Sequence, residues 1–486
     1  MIKAIQENKD LYSYGLAVLI IAFATYFVNY YNPAAVFWDE NYHIASAQKY
    51  IAGVMYMEPH PPLGKLFIAL GEWIVHPNDA LDLTPFTQTD YVKNFPKDYS
   101  WAGVRLFPAL FGTFSALIFF LILYQISKRA ELSFLFSSLY LFENAFILQS
   151  RSAMLESTQI FFIFLSVLYF LIILDKEKVG YRHYFGFGVM MGLSLMIKAN
   201  GLILILLFPF LFLYRVHWDH GYLLALKRFV LDGLVILAGM AVVVVVVFSI
   251  HFSLGDKVGV KKYKASPEYL TMIKEGKNSN LLNFPVMLKD NFAYMRNYSK
   301  GVPKFDICKK GENGSFVTTW PFGNKTINYR WSKKDGKVSY LYLQGNPIVW
   351  FSVVFAMILA ITLLLGRFIF GLEVKDRRLF FLTGVFTSIY LSYMITIYNI
   401  DRVMYLYHYF IPLFMGTFVL FILFNYLFKE SIDKGSKLLY FAVTLMAIEI
   451  LYVYYFFGPL TYYKPLSTIE FLQRDWFDFW KLKPIL

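Results

Sequence analysis

Cysteine is all but missing from this chain of 486 residues, with Cys308 the single one. That excludes an intrachain disulfide framework and any cysteine-based metal centre. Charge is scarce too: 16% of the residues are Asp, Glu, Lys or Arg, against roughly 25% in soluble domains. No self-similarity recurs at the roughly 20–50-residue periods of solenoids and propellers. What fills the chain is apolar, with 58% of residues hydrophobic and 20% aromatic. Uncharged windows of about 20 residues, the length that crosses about 30 Å of hydrocarbon, recur along it. The sequence predicts an all-α polytopic membrane protein and excludes a large soluble enzyme with several buried helices.

About eleven spans are expected, near residues 14–32, 103–124, 132–149, 155–174, 184–197, 200–214, 229–252, 347–366, 379–397, 408–427 and 437–457. The net charge of +13 reads as membrane orientation, because Lys and Arg collect in cytoplasmic loops; nucleic acid is not implied. Alternate loops carry Lys128-Arg129, then Lys176, Lys178 and Arg182, then Arg215, Lys227 and Arg228. The series continues with Arg367, Lys375, Arg377 and Arg378, and with Lys429, Lys434 and Lys437. These loops share a side with Lys3 and Lys9, which precede the first apolar run. No small-residue cleavage site follows that run, so it reads as a retained helix with a cytoplasmic N-terminus. The first loop (33–102), the long loop (253–346) and the tail after 457 then face outward. Three parts are expected: 1–252, a membrane half with the catalytic first loop; 253–346, a small outer subdomain of low regularity; and 347–486, a second membrane half with an outer tail.

The first loop is more than a linker. Tyr42 to Met57 and Leu63 to Val75 mix apolar and polar residues at helical spacing, with Lys65 and Glu72 on the polar side of the second stretch. Both suit amphipathic helices lying in the interface, and Pro61-Pro62 separates them. Ionisable residues at a membrane surface are functional candidates by default. Here they are Asp39 and Glu40 at the end of the first span, Arg105 at the start of the second, and Arg151 and Glu156 between the third and fourth. Lys198 between the fifth and sixth and Arg402 and His408 before the tenth complete the set. All fall on the outward side, where His60 and Lys65 also lie. Structural readings stand beside these: Lys65 and Lys198 suit snorkelling lysines, His60 a turn, Glu156 a plain partner for Arg151, and Asp39-Glu40 a solvated helix end. The functional reading is that a carboxylate acts as general base toward a hydroxyl while cations neutralise a phosphate. A lipid-phosphate substrate follows, with one product left in the bilayer.

The order of motifs resembles the protein O-mannosyltransferase family. It runs from Asp39-Glu40 through His60-Pro61-Pro62-Leu63-Gly64-Lys65 and Arg105-Leu106-Phe107-Pro108-Ala109-Leu110-Phe111-Gly112. Phe142-Glu143-Asn144-Ala145, Gln149-Ser150-Arg151, Leu155-Glu156 and Lys198 with Gly201 follow. Trp320-Pro321, Gly345-Asn346-Pro347 with Trp350, and the stretch from Arg402 through His408 to Pro412 complete it. The resemblance implies a C-type glycosyltransferase fold and inverting, metal-independent transfer of a hexose, mannose first. The donor would be a polyprenyl-phosphate sugar and the acceptor a Ser or Thr of a secreted or membrane protein at the outer face of the bilayer. Asp39 would be the catalytic base. Glu40 and His60 would shape the acceptor side, and Arg105, Arg151, Lys198 and Arg402 would meet the donor phosphate. Glu143 and Glu156 depart from the family, which usually has aspartate there. The long loop lacks the β-trefoil domain of eukaryotic relatives, which points to a prokaryotic form in the inner membrane. Two rivals are a transferase that decorates a glycolipid such as lipid A from the same donor class, and a transporter or flippase. A divalent ion on Asp39, Glu40 and His60 is the disfavoured alternative to no cofactor.

Overall fold

A computed structural model describes residues 2–216 and 221–485. The side chains of residues 1–8, Lys3 among them, lie outside the described residues. Two compact units emerge, each drawn from separated stretches: Met1–Val28 with Thr113–Gln149 and Pro303–Leu486, and Asn29–Gly112 with Ser150–Val302.

Among the described residues, eight helices are long and apolar enough to cross a membrane, or nine if one bent pair counts as a span. The difference from eleven has three local causes. The apolar run at 132–149 is broken: Ala130–Leu141 and Asn144–Ser150 meet at 70°. The break falls at Glu143, whose buried carboxylate accepts from the backbone N–H of Phe146 (2.6 Å) and Asn346 (3.0 Å) and from the Trp350 indole (2.9 Å). A carboxylate buried among apolar helices needs such donors, and the opened turn supplies the Phe146 N–H. The fifth run makes a helix of 15 residues, Tyr181–Leu195, short of the roughly 20 that a straight crossing takes. The sixth opens as a 3₁₀ helix, Ala199–Leu206, before it continues as Leu207–Arg215.

The unit built on Pro303–Leu486 holds an element the sequence reading missed. Three antiparallel strands, Asn328–Lys334, Lys337–Tyr342 and Pro465–Leu466, form a small sheet in that order. Trp331 pairs with Tyr340 and Lys334 with Lys337. The turn between the first two is Asp335-Gly336, both at positive φ (51° and 70°), the arrangement of a tight hairpin. Tyr340 and Tyr342 pack into a core with Phe457, Phe471 and Trp480, so the tail after 457 is ordered.

In the other unit, the first loop folds as expected into two helices, Glu40–Ala52 and Leu63–Val75. The second is inside-out by soluble standards. Lys65 and Glu72 are buried, while Leu70, Trp73 and Ile74 are exposed. Such a helix suits an interface, offering its apolar face to lipid and its polar face to the protein. Behind it, Tyr181–Leu195 crosses Tyr222–Ser253 backbone to backbone. A Cβ on Gly188 would stand 2.1 Å from the Ile236 carbonyl oxygen, and one on Gly239 would stand 2.3 Å from that of Phe185. Small residues at the crossing are what permit this approach between apolar helices.

Candidate functional site

The site is built on the N-terminus of the Glu40–Ala52 helix, where Asp39 holds the N-cap position. Asp39 is half-buried, and its side chain makes no capping bond to its own helix. Trp38, just before it, stands at φ 52°. A bulky residue in left-handed backbone is strained, so something else must hold the loop.

Arg105 does so. Its Nε donates to Glu40 Oε1 at 2.7 Å and its Nη2 to Glu40 Oε2 at 2.8 Å, a two-pronged pair with both side chains fully buried. Nη1 donates to the carbonyl oxygens of Tyr31 (2.8 Å) and Pro33 (2.7 Å), and Nη2 also to that of Ala35 (2.8 Å). The guanidinium lies between the rings of Phe37 and Trp101, at 4.8 and 4.5 Å. An arginine has five N–H donors, and these five bonds use them all. Glu40 is equally occupied. Besides Arg105 it accepts from the N–H of Phe37 (3.1 Å) and Ala153 (2.8 Å). The family resemblance implies a donor phosphate for Arg105 and the acceptor side for Glu40. The geometry gives both a different task, tying residues 31–40 to the second span and so fixing the backbone that carries Asp39.

Other cations are held in shorter pairs. Lys198 Nζ donates to Glu156 Oε1 at 2.6 Å, so Glu156 pairs with Lys198. Arg151 is buried, and its Nη2 donates to the carbonyl of Asn29 at 2.6 Å. Lys65 is ion-paired with Glu58, which also accepts from the Ser46 hydroxyl. Burial pulls the pKa of the Lys65 ammonium down, and Glu58 pulls against it. His60 is half-buried in the bend before Pro61.

One residue the sequence reading passed over belongs with these. His43 lies one turn beyond Asp39, buried, with Nδ1 lacking a hydrogen-bond partner among the described residues. Burial first, then the positive fields of Lys65 and Lys198, hold its pKa well below the ordinary histidine value, with Glu156 opposing. Lys65, Lys198 and Glu156 thus all act electrostatically on a buried imidazole four residues from Asp39. The i, i+4 spacing of Asp39 and His43, which puts two helix residues on one face, was the available signal.

Arg402 and His408 fall in the unit that contains Pro303–Leu486. There Arg402 Nε donates to the Met404 sulfur at 3.3 Å, and the His408 ring stacks on Tyr407 with centroids 4.5 Å apart. Among the described residues, no three His, Cys, Asp or Glu side chains are grouped to hold a metal ion.

A family model described as dolichyl-phosphate-mannose-protein mannosyltransferase matches residues 16–261. A second, the C-terminal four-transmembrane region of protein O-mannosyltransferase, matches 293–480. The chain is 31% identical over 252 residues to dolichyl-phosphate-mannose–protein mannosyltransferase 1 of Candida albicans, covering 50% of this chain and 28% of that one. It is 31% identical over 157 residues to protein O-mannosyl-transferase 1 of Danio rerio, covering 32% of this chain and 21% of that one. The matched stretch thus spans under a third of these curated relatives. Among solved structures, the S. cerevisiae protein O-mannosyltransferase Pmt1-Pmt2 complex bound to the sugar donor superposes with a TM-score of 0.80 at 14% identity, over 98% of this chain and 92% of that one. The Archaeoglobus fulgidus oligosaccharyltransferase superposes with a TM-score of 0.52 at 11% identity, over 94% of this chain and 56% of that one. The fold is that of the C-type membrane glycosyltransferases, and the protein is a multi-pass membrane protein.

Proposed function

Because the chain belongs to the dolichyl-phosphate-mannose–protein mannosyltransferase family, we propose that it transfers mannose from a polyprenyl-phosphate donor to Ser or Thr hydroxyls of proteins. The observation that carries this reading is the carboxylate at position 39, set at a helix N-terminus by a fully buried Arg105–Glu40 brace. Asp39 takes the proton from the acceptor hydroxyl. The freed oxygen attacks the anomeric carbon, and the bond from that carbon to the phosphate oxygen breaks, with its electron pair leaving on the phosphate. Lys198 and Arg151 are the cations assigned to the departing phosphate, and Lys65 adds to the field around His43. His60 shapes the acceptor side. The reading gives the chemistry no metal, and activity in excess EDTA is expected to equal that without it.

The test is purified protein, polyprenyl-phosphate mannose labelled in the sugar, and a peptide rich in Ser and Thr. Label on the peptide supports the reading. Label in extracted glycolipid, with none on peptide, moves the acceptor to lipid and overturns the protein-directed half.

We further propose that the protein lies in the plasma membrane with its N-terminus cytoplasmic and its site on the outer face, as the side-to-side bias of Lys and Arg implies. Cys308 makes this testable. It is exposed and belongs to the long loop between residues 253 and 346. A membrane-impermeant maleimide added to intact cells is expected to label it. Labelling only after permeabilisation would reverse the orientation.

A further inference from the structure

The unit that holds Asp39 contains a second concave site, built on different residues. After the Tyr222–Ser253 helix the chain turns at Tyr263 and Lys264, both in left-handed backbone (φ 51° and 58°). For non-glycine residues such backbone is strained, and it persists only where the surroundings impose it. Here they do. The Tyr263 hydroxyl donates to Asp90 Oδ1 at 2.5 Å, and the Ser266 N–H donates to Asp290 Oδ2 at 2.7 Å. Asp90 also accepts from Lys49 Nζ (2.5 Å) and Lys261 Nζ (2.6 Å). The turn walls a cleft of about 480 Å³, within the size range of ligand sites.

The lining has a definite chemistry. Tyr263 meets Tyr294 edge to face with centroids 5.7 Å apart, and Tyr294 meets Tyr298 at 6.2 Å. Both carboxylates of the cleft, Asp90 and Asp290, already take donors from the protein. What faces outward is the exposed Lys262 and Lys264, with Asn297 beside the tyrosines. Such a wall takes an anionic group on a chain that lies against aromatic rings, as an Asp or Glu side chain on an extended peptide would. Lys262, Tyr263, Lys264 and Asp290 fall between the segments that the two family models match, 16–261 and 293–480. The rest of the lining, Asp90, Lys261, Tyr294, Asn297 and Tyr298 among it, lies within the matched segments.

Its position relative to Asp39 follows from one helix. Lys49, which seats Asp90, is ten residues beyond Asp39 along Glu40–Ala52; at about 1.5 Å per residue its backbone lies about 15 Å along the helix axis from Asp39, and that rise sets the scale of the separation. An extended peptide advances about 3.3–3.6 Å per residue, so about 15 Å takes four to five residues. We propose that this cleft is an acceptor subsite that binds an acidic side chain four to five residues from the Ser or Thr that receives the sugar. The inference rests on the protein-acceptor reading above.

The experiment compares two peptides with one shared Thr, one carrying Glu and the other Gln at the fourth and fifth positions on both sides. The full-length protein is assayed as wild type and as the double variants K262A/K264A and K262E/K264E. For wild type, KM for the Glu peptide is expected to lie about three- to tenfold below that for the Gln peptide, the effect of two partly exposed ion pairs. K262A/K264A is expected to abolish the difference, and K262E/K264E to reverse it. Equal KM for both peptides in wild type, or a preference that survives both variants, overturns the subsite while leaving the transferase reading in place. No label on either peptide, with the donor consumed into lipid, overturns the acceptor reading and this inference with it.

Discussion

Asp39→Asn is expected to lower kcat for transfer by about 10²–10⁴-fold, the contribution of a positioned general base, with donor affinity and melting temperature close to wild type. Asparagine matches aspartate in size. Because the Asp39 side chain makes no cap bond to its helix, the exchange forfeits no capping energy. Glu40 and Arg105, which fix the loop, keep their bonds to each other. The amide cannot accept the hydroxyl proton. Single-turnover transfer together with donor binding by calorimetry separates the two parts. Loss of donor binding would place Asp39 on the donor instead, and full retention of kcat would remove it from the chemistry.

Arg105→Lys is expected to reduce kcat severely while donor KM moves little. Lysine keeps the charge but offers three donors from one nitrogen in place of five in a fork. It cannot reach both Glu40 oxygens and the carbonyls of Tyr31, Pro33 and Ala35 together. Breaking a fully buried pair costs about 3–5 kcal/mol, so a lower melting temperature is also expected. Glu40→Gln, which preserves shape and removes one charge, should show the same split between kcat and KM in milder form. A phosphate ligand behaves in the opposite way. If Arg105→Lys raises donor KM at unchanged kcat, the brace assignment is wrong.

These two residues also show where the sequence was legible. Asp39 stands out in the sequence because an acidic residue at the end of an apolar run is costly unless it has a use, and the structure puts it at a helix N-cap. Leu63–Val75 was readable from its period, and its bounds agree with the expected stretch. Arg105 was visible as a candidate but not in its role, since the carbonyls that consume its donors belong to a loop whose path no side-chain pattern encodes. His43 was missed because it lies among apolar and small residues in Tyr42–Ala47, and its charged neighbours Lys65, Glu156 and Lys198 are distant in sequence. The bend at Glu143 hid inside a run that hydropathy averages into one span. The hairpin was legible and overlooked, as Asp335-Gly336 between Tyr- and Val-bearing stretches is a strong short-range turn signal.

The central claim is that Asp39 works as a base in a single displacement. The most direct measurement is the anomeric configuration of the mannosyl-peptide, read by NMR from a donor of known anomer. One displacement at the anomeric carbon predicts the opposite configuration in the product. A product with the donor's own configuration would mean two displacements or attack from the face the phosphate leaves, and either would contradict the account.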